Sequence, residues 1–200
     1  MRLQALLAPL FIALAVSAPG QESHPAAVTC VQLLAWSAGE MSSPRLNRLA
    51  HERGIAISLD STTSDALRAG GVEPALLQDL RTAPAYKPDA SGCPASLVRA
   101  GELIRQKKYQ EAQPILQSLI AEDPKNAALH FAMGSVHQQQ GDWDDASDSY
   151  ENAEDLMPGL ADIHSRLAYL LYRSEDGYAA IAEARTALSI DPRNAEAYRF

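Results

Sequence analysis

The feature that most restricts the fold of this chain is a repeat with a period of 34 residues. Three columns of residues keep this spacing: Pro124, Pro158 and Pro192; Ala112, Ala146 and Ala180; Ala100, Gly134 and Ala168. Small residues let neighbouring helices approach closely, and a proline after a helix prevents its continuation. A fixed period of this length predicts stacked helical hairpins that bury their apolar faces against one another.

The middle copy carries the most complete pattern. It begins with His130, Met133-Gly134 and His137, turns at Gly141-Asp142-Trp143, and continues through Ala146, Tyr150, Ala153 and Pro158. This pattern resembles the tetratricopeptide family, and the resemblance covers residues 95–200. The first copy departs from it at Arg99, where a leucine is usual, and the third copy at Ala184, where a larger residue is usual.

The resemblance implies an all-α fold, an α-solenoid of antiparallel helix hairpins preceded by a small, mainly helical module. The predicted repeats span residues 95–126, 127–160 and 161–194, and residues 195–200 begin a fourth repeat. Because such a repeat needs a neighbour or a polar terminal helix to cover it, we expect Ile181, Ala184 and Leu188 to lie almost uncovered. The sequence is therefore expected to be a fragment of a longer protein.

Residues 25–84 are predicted to form the small module, and residues 85–94 a linker rich in turn-forming residues. Apolar residues from Val28 to Trp36 predict a first helix, and Ser42-Ser43-Pro44 predicts the start of a second. Ile55, Ile57 and Leu59 alternate with smaller residues, which predicts a short extended segment. Two further helices are expected, one from about Ser61 to Gly70 and one through Leu76, Leu77 and Leu80. The module resembles one found in exported bacterial repeat proteins.

Residues 1–20 have the pattern of a secretory signal peptide. Arg2 precedes an apolar run from Ala5 to Val16, and small residues follow up to Gly20. Cleavage is expected after Ala18 or after Gly20. A membrane anchor is the alternative, but the run is shorter than the ~20 apolar residues that span a bilayer. We therefore expect an exported protein, periplasmic or secreted, with no membrane span once the signal is removed.

The chain has two cysteines, Cys30 and Cys93. An even number of cysteines in an oxidising compartment favours a disulfide, which would close the small module onto the start of the repeats. The alternative is two unrelated residues, with Cys30 acting as a small apolar core residue.

The charge and the motifs exclude several functions. A net charge of -8 and a pI near 5.1 argue against nucleic-acid binding, which needs clustered lysine and arginine. We find no phosphate-binding glycine loop, nucleophile elbow or catalytic cysteine–histidine spacing, so we predict a protein that is not an enzyme and has no cofactor. His130 and His137 are two helical turns apart, roughly 10 Å, which is too far to share a metal ion. No metal site is predicted.

In the tetratricopeptide family the first helix of each hairpin lines a concave groove that binds protein or peptide partners. The resemblance places the groove at matching positions of all three repeats, which include Leu97, Gly101, Ile104, Arg105 and Asp162. The residues expected to form the peptide-binding groove are Phe131, Ser135, Gln138, Arg166, Tyr169, Tyr172 and Arg173. Aromatic residues and arginine are enriched at binding hot spots; the alternative is that the tyrosines pack between repeats.

A subset of the family clamps the C-terminal carboxylate of chaperones, but here only Arg166 fits that pattern. We therefore predict a protein-binding scaffold in the cell envelope. The alternative is that these repeats are the adaptor region of a larger enzyme whose catalytic domain lies beyond residue 200.

Overall fold

The computed structural model describes residues 26–89 and 92–200. The signal peptide predicted at residues 1–20 lies outside these residues. The N-terminal module contains four helices and a short 3-10 turn: α1 Cys30–Ala38, α2 Ser43–Arg53, α3 Ser61–Ala69, α4 Pro74–Asp79, and the turn Leu80–Thr82.

The repeats contain six helices in three hairpins. These are α5 Ala95–Arg105 and α6 Tyr109–Glu122; α7 Ala127–Gln140 and α8 Trp143–Leu156; α9 Ala161–Arg173 and α10 Gly177–Ile190; a 3-10 turn follows at Ala197–Arg199. No strand occurs in the described residues, which confirms the all-α prediction. The expected extended segment contributes only isolated bridges, from Ile55 to Val28 and to Ala85.

Local sequence accounts for where the module's helices begin. Thr29 and Gln32 form a reciprocal capping box at the start of α1, because each side chain binds the other's backbone N–H. Pro44 lies in the first turn of α2, where its missing N–H costs nothing. The third helix is capped by Asp60, whose carboxylate accepts from the Thr63 N–H. Asp60 immediately precedes Ser61, where this helix was expected to begin.

The small-residue column explains how the two helices of each hairpin pack. Gly134 in α7 faces Tyr150 in α8, and a Cβ added to Gly134 would lie 2.7 Å from the tyrosine ring. The equivalent pair in the first repeat, one period earlier, is Ala100 with Leu116. Glycine in the second repeat therefore makes room for a larger partner.

We expect the substitution Gly134→Ala to lower the free energy of unfolding by about 1–3 kcal/mol, because the new methyl group overpacks the hairpin. Adding Tyr150→Leu should recover part of the loss, because it recreates the pair found in the first repeat. Urea unfolding of the two single variants and the double variant measures the coupling. Strictly additive effects would contradict the packing explanation.

The second helix of the third repeat is better covered than predicted. Ala184 is only 4% exposed and packs in a cluster with Ala161, Ala168 and Ala197. The expectation that Ala184 would lie uncovered is therefore wrong, because the segment after α10 folds back over it. Leu188 is partly buried in the same cluster, whereas Ile181 remains 40% exposed.

A disulfide joins Cys30 at the start of α1 to Cys93, and their Cα atoms lie 5.3 Å apart. Cys93 immediately precedes the first repeat, in which α5 begins at Ala95. The bond therefore fixes the start of the module to the start of the repeats.

Candidate functional site

The side of the repeats formed by the first helices α5, α7 and α9, here called the first-helix face, was predicted to carry the groove. In the structure, the N-terminal module lies on this face, with α1 packed against both α5 and α7. The chain therefore covers much of its own predicted binding surface, one repeat after another.

At the first repeat the contact is made through backbone and buried apolar side chains. Leu97 is fully buried, and the backbone of Gly70 at the end of α3 lies directly against Gly101 of α5. Any side chain at Gly101 would collide with the Gly70 carbonyl oxygen. Arg105 donates a 3.3 Å hydrogen bond to the Arg68 carbonyl oxygen at the same junction.

At the second repeat the turn after α1 covers α7. Phe131 is 0% exposed and lies so close to Gly39 that a Cβ there would be 2.6 Å from its ring. Ser135 is 3% exposed, and Gln139 donates a 2.8 Å hydrogen bond to the Glu40 carboxylate. Two predicted groove residues, Phe131 and Ser135, are therefore inaccessible in this conformation.

At the third repeat the module is held by buried ion pairs. Arg45 of α2 lies 2.8 Å from Asp162 and 3.1 Å from Asp191, and Arg48 lies 2.8 Å from Asp191. The side chains of Arg45 and Asp191 are only 8% and 6% exposed. Buried pairs of this kind tolerate the loss of one partner poorly, because the remaining charge stays desolvated. We call these four residues the ionic latch.

The environment of Asp191 favours its charged form. Partial burial acts to raise the pKa of its carboxyl group. Hydrogen bonds from the Arg193 backbone N–H and the Arg48 side chain, together with the charge of Arg45, outweigh burial and lower the pKa below its ordinary value. The carboxylate therefore remains available to both arginines.

Arg166 also faces the module. Its guanidinium donates to the Gly39 and Glu40 carbonyl oxygens at 3.4 and 3.5 Å and pairs with Glu196 at 3.4 Å. A cavity of about 390 Å³ remains beside it between the module and the repeats, and Phe131, Arg45 and Asp162 also line this cavity.

Beyond the module, the predicted groove residues Tyr172 and Arg173 are exposed, and Tyr169 is partly buried. Tyr172 is 63% exposed and packs at 5.6 Å from Phe200, measured between ring centroids. The Arg173 guanidinium lies 4.0 Å from the ring centroid of Trp143 and 6.0 Å from that of Tyr169. We call these five residues the aromatic patch.

Gln138 lies at the edge between the covered and exposed parts. It is partly buried, and its side-chain oxygen accepts a 3.1 Å hydrogen bond from the hydroxyl of fully buried Tyr150. Trp143 was missed as a site residue, although its position at the hairpin turn of the second repeat was visible in the sequence. The latch residues Arg45 and Asp191 gave no comparable signal.

Comparison with known proteins identifies the repeats. Family models of the tetratricopeptide repeat match residues 103–149 and residues 131–195. The chain carries tetratricopeptide repeats. The matched residues run from α5 to the end of the third hairpin and so include most of the first-helix face.

Several solved structures are similar to this chain. One is YrrB, described as a TPR protein with an unusual peptide-binding site. It is 16% identical in sequence, the match covers 84% of this chain and 87% of that chain, and the TM-score is 0.50. Another is MamA from Desulfovibrio magneticus RS-1, residues 41 to the end. It is 17% identical, the match covers 85% of this chain and 99% of that chain, and the TM-score is 0.49. A search of curated protein sequences finds no significant match.

Within residues 26–89 and 92–200, none of the helices combines the length and apolar character that a bilayer crossing requires.

Proposed function

We propose that this tetratricopeptide-repeat protein is an exported binding scaffold that holds a partner protein or peptide at the aromatic patch. The observation that carries the proposal is the exposure of Tyr172 beside the Arg173–Trp143 stack. Tyrosine, tryptophan and arginine are the residues most enriched where binding energy is concentrated. Four of the five patch residues lie on helices packed within the repeat array, so little side-chain and backbone order has to be created on binding.

The covered first-helix face limits how a partner can bind. A peptide lying along α5 and α7 would overlap α1 and the turn at Gly39. A partner at the exposed end of α9 meets no such obstacle, because Tyr172 and Arg173 extend beyond the module. The proposed site is therefore the aromatic patch, which comprises Tyr169, Tyr172 and Arg173 of the predicted groove with Trp143 and Phe200 added.

Photo-crosslinking tests the site directly. A photoreactive phenylalanine analogue at Tyr172 of the full chain should give a discrete partner adduct in native cells. The matched control is Tyr86, which is 59% exposed but lies in the segment after the module. Equal adducts from both positions, or none from Tyr172, would contradict the assignment.

With the crosslinked partner purified, the double substitution Tyr172→Ala and Arg173→Ala should weaken its binding about 30-fold or more, equivalent to about 2 kcal/mol. Tyr86→Ala should leave the Kd unchanged. Circular dichroism should show equal helix content in all variants, because Tyr172 and Arg173 are exposed. An unchanged Kd for the double variant would refute the proposed site.

Export is supported by the leader-like residues 1–20 and by the Cys30–Cys93 disulfide, a bond typical of oxidising compartments. Intact-mass measurement of the protein from its own cells should give a mature N terminus at Gln21 or Pro19. Recovery of protein that still carries residues 1–20 would contradict export through a cleaved signal.

A further inference from the structure

Three side chains from three helices converge on one point between the second and third repeats. His164 of α9 places Nδ1 at 2.8 Å from a carboxylate oxygen of Glu183 in α10 and at 3.5 Å from one of Glu154 in α8. The three potential ligand atoms all lie within 4.8 Å of one another. The His164 ring is buried, whereas the two carboxylates remain partly accessible to solvent.

The other ring nitrogen of His164 fixes the orientation of this cluster. Nε2 lies 2.8 Å from the Pro158 carbonyl oxygen, and because a carbonyl can only accept, Nε2 carries a proton. Nδ1 therefore directs either a lone pair or a second proton at the two carboxylates. A lone pair that faces two charged carboxylates is repelled by them, whereas a metal cation between the nitrogen and the carboxylates would be bound by all three groups. A backbone carbonyl on the far nitrogen is also the usual support of a metal-bound histidine.

Comparison with the second repeat shows which contacts of His164 are common to the repeats and which occur only in the third. His130 makes the same contact one period earlier, with Nε2 at 3.0 Å from the Pro124 carbonyl oxygen. The positions equivalent to Glu154 and Glu183 are occupied there by Ile120 and Ser149. The histidine–carbonyl contact thus belongs to the repeat architecture, whereas the carboxylate pair is specific to the third repeat.

We propose that Glu154, His164 and Glu183 form a binding site for a divalent transition-metal ion, for which Zn²⁺ is the natural probe. One imidazole nitrogen and two carboxylate oxygens match the ligands that zinc takes at about 2.0–2.2 Å, and a fourth position remains for water. A proton on Nδ1 leaves the cluster with one net negative charge, whereas a divalent ion neutralises it. The nitrogen ligand disfavours Mg²⁺ and Ca²⁺, which prefer oxygen alone.

The sequence does not mark this site, because its three residues lie on three different helices and share no metal-binding motif. The carboxylates come from the second helices α8 and α10, which the fold brings to the same nitrogen of His164. A bound ion would therefore connect the second repeat to both helices of the third.

Isothermal titration of the full chain with zinc chloride at neutral pH should saturate at one ion per chain. The substitutions Glu154→Gln and Glu183→Gln keep the side-chain shape and should each weaken zinc binding about tenfold or more. Glu151→Gln is the matched control, since Glu151 is an exposed glutamate one turn away on α8. It should bind zinc as the wild type does, and magnesium chloride should give no saturable heat with any of the proteins.

A titration in which zinc does not saturate the wild type would overturn the proposal. The cluster would then be an ordinary ion pair with a proton on Nδ1. Equal zinc affinity in the wild type and both glutamine variants would also overturn it, because the ion would then bind elsewhere. Thermal unfolding followed by circular dichroism confirms that each variant is folded. In the same experiment, zinc should raise the Tm of the wild type and of the Glu151→Gln variant, but not the Tm of the Glu154→Gln or Glu183→Gln variants.

Discussion

Replacing Arg45 with alanine is expected to lower the free energy of unfolding by about 3–5 kcal/mol, because two largely desolvated carboxylates lose their shared partner. Asp162 and Asp191 are 14% and 6% exposed, so water cannot replace the guanidinium without opening the contact. Part of the loss should appear as release of the module from the third repeat. Urea unfolding monitored by circular dichroism gives the magnitude.

Arg193→Ala is the control for this prediction. Arg193 also joins the module to the repeats, through Glu52 at 3.1 Å, and the two side chains are 65% and 50% exposed. The Nε of Arg193 lies 3.7 Å from Asp191, farther than either latch arginine, and the Arg193 side chain stays in solvent. Exposed pairs contribute about 0–1 kcal/mol, so this variant should be close to the wild type. If the two arginine variants lost equal stability, the ionic latch would not be the dominant contact.

Removing the disulfide by the double substitution Cys30→Ser and Cys93→Ser should lower the free energy of unfolding by about 4 kcal/mol in the chain-entropy model. The bond closes a loop with a sequence separation of 63, and the unfolded chain gains the corresponding freedom when the bond is lost. The loop contains the whole module, so the module's contact with the repeats should weaken as well. Urea unfolding of the oxidised wild type and of the double variant measures the difference.

Reducing the disulfide of the wild type is a control that needs no substitution. Dithiothreitol should bring the wild type to nearly the stability of the double serine variant and leave that variant unchanged. A wild type whose unfolding midpoint does not respond to the reductant would show that the bond contributes little.

The repeats were predictable because their contacts are local. Each hairpin packs on its neighbours, so the columns of Ala112, Gly134 and Pro158 appear in the sequence at one fixed period. The prediction failed for contacts that do not recur with the 34-residue period. Ala184 was expected to be uncovered, but it packs in one cluster with Ala168 of α9 and with Ala197 of the following 3-10 turn.

Only part of the candidate site could be predicted from the sequence. The groove residues were assigned as though the repeats stood alone, and for Tyr172 and Arg173 that assumption fits the exposed patch. It fails for Phe131 and Ser135, because helices from the other end of the chain cover them. The Arg45–Asp162 contact joins residues 117 positions apart, and no repeat or motif marks such a pair in a single sequence.

The central structural feature of this chain is the packing of the N-terminal module on the first-helix face. Nuclear Overhauser spectroscopy of the Phe131 ring tests it most directly, because only the docked module brings Gly39 within reach of that ring. We predict strong cross-peaks between the Phe131 ring protons and the Gly39 α protons, and no broadening of the ring signals by a soluble paramagnetic agent. Missing cross-peaks together with a broadened Phe131 ring would show an open groove and contradict the account.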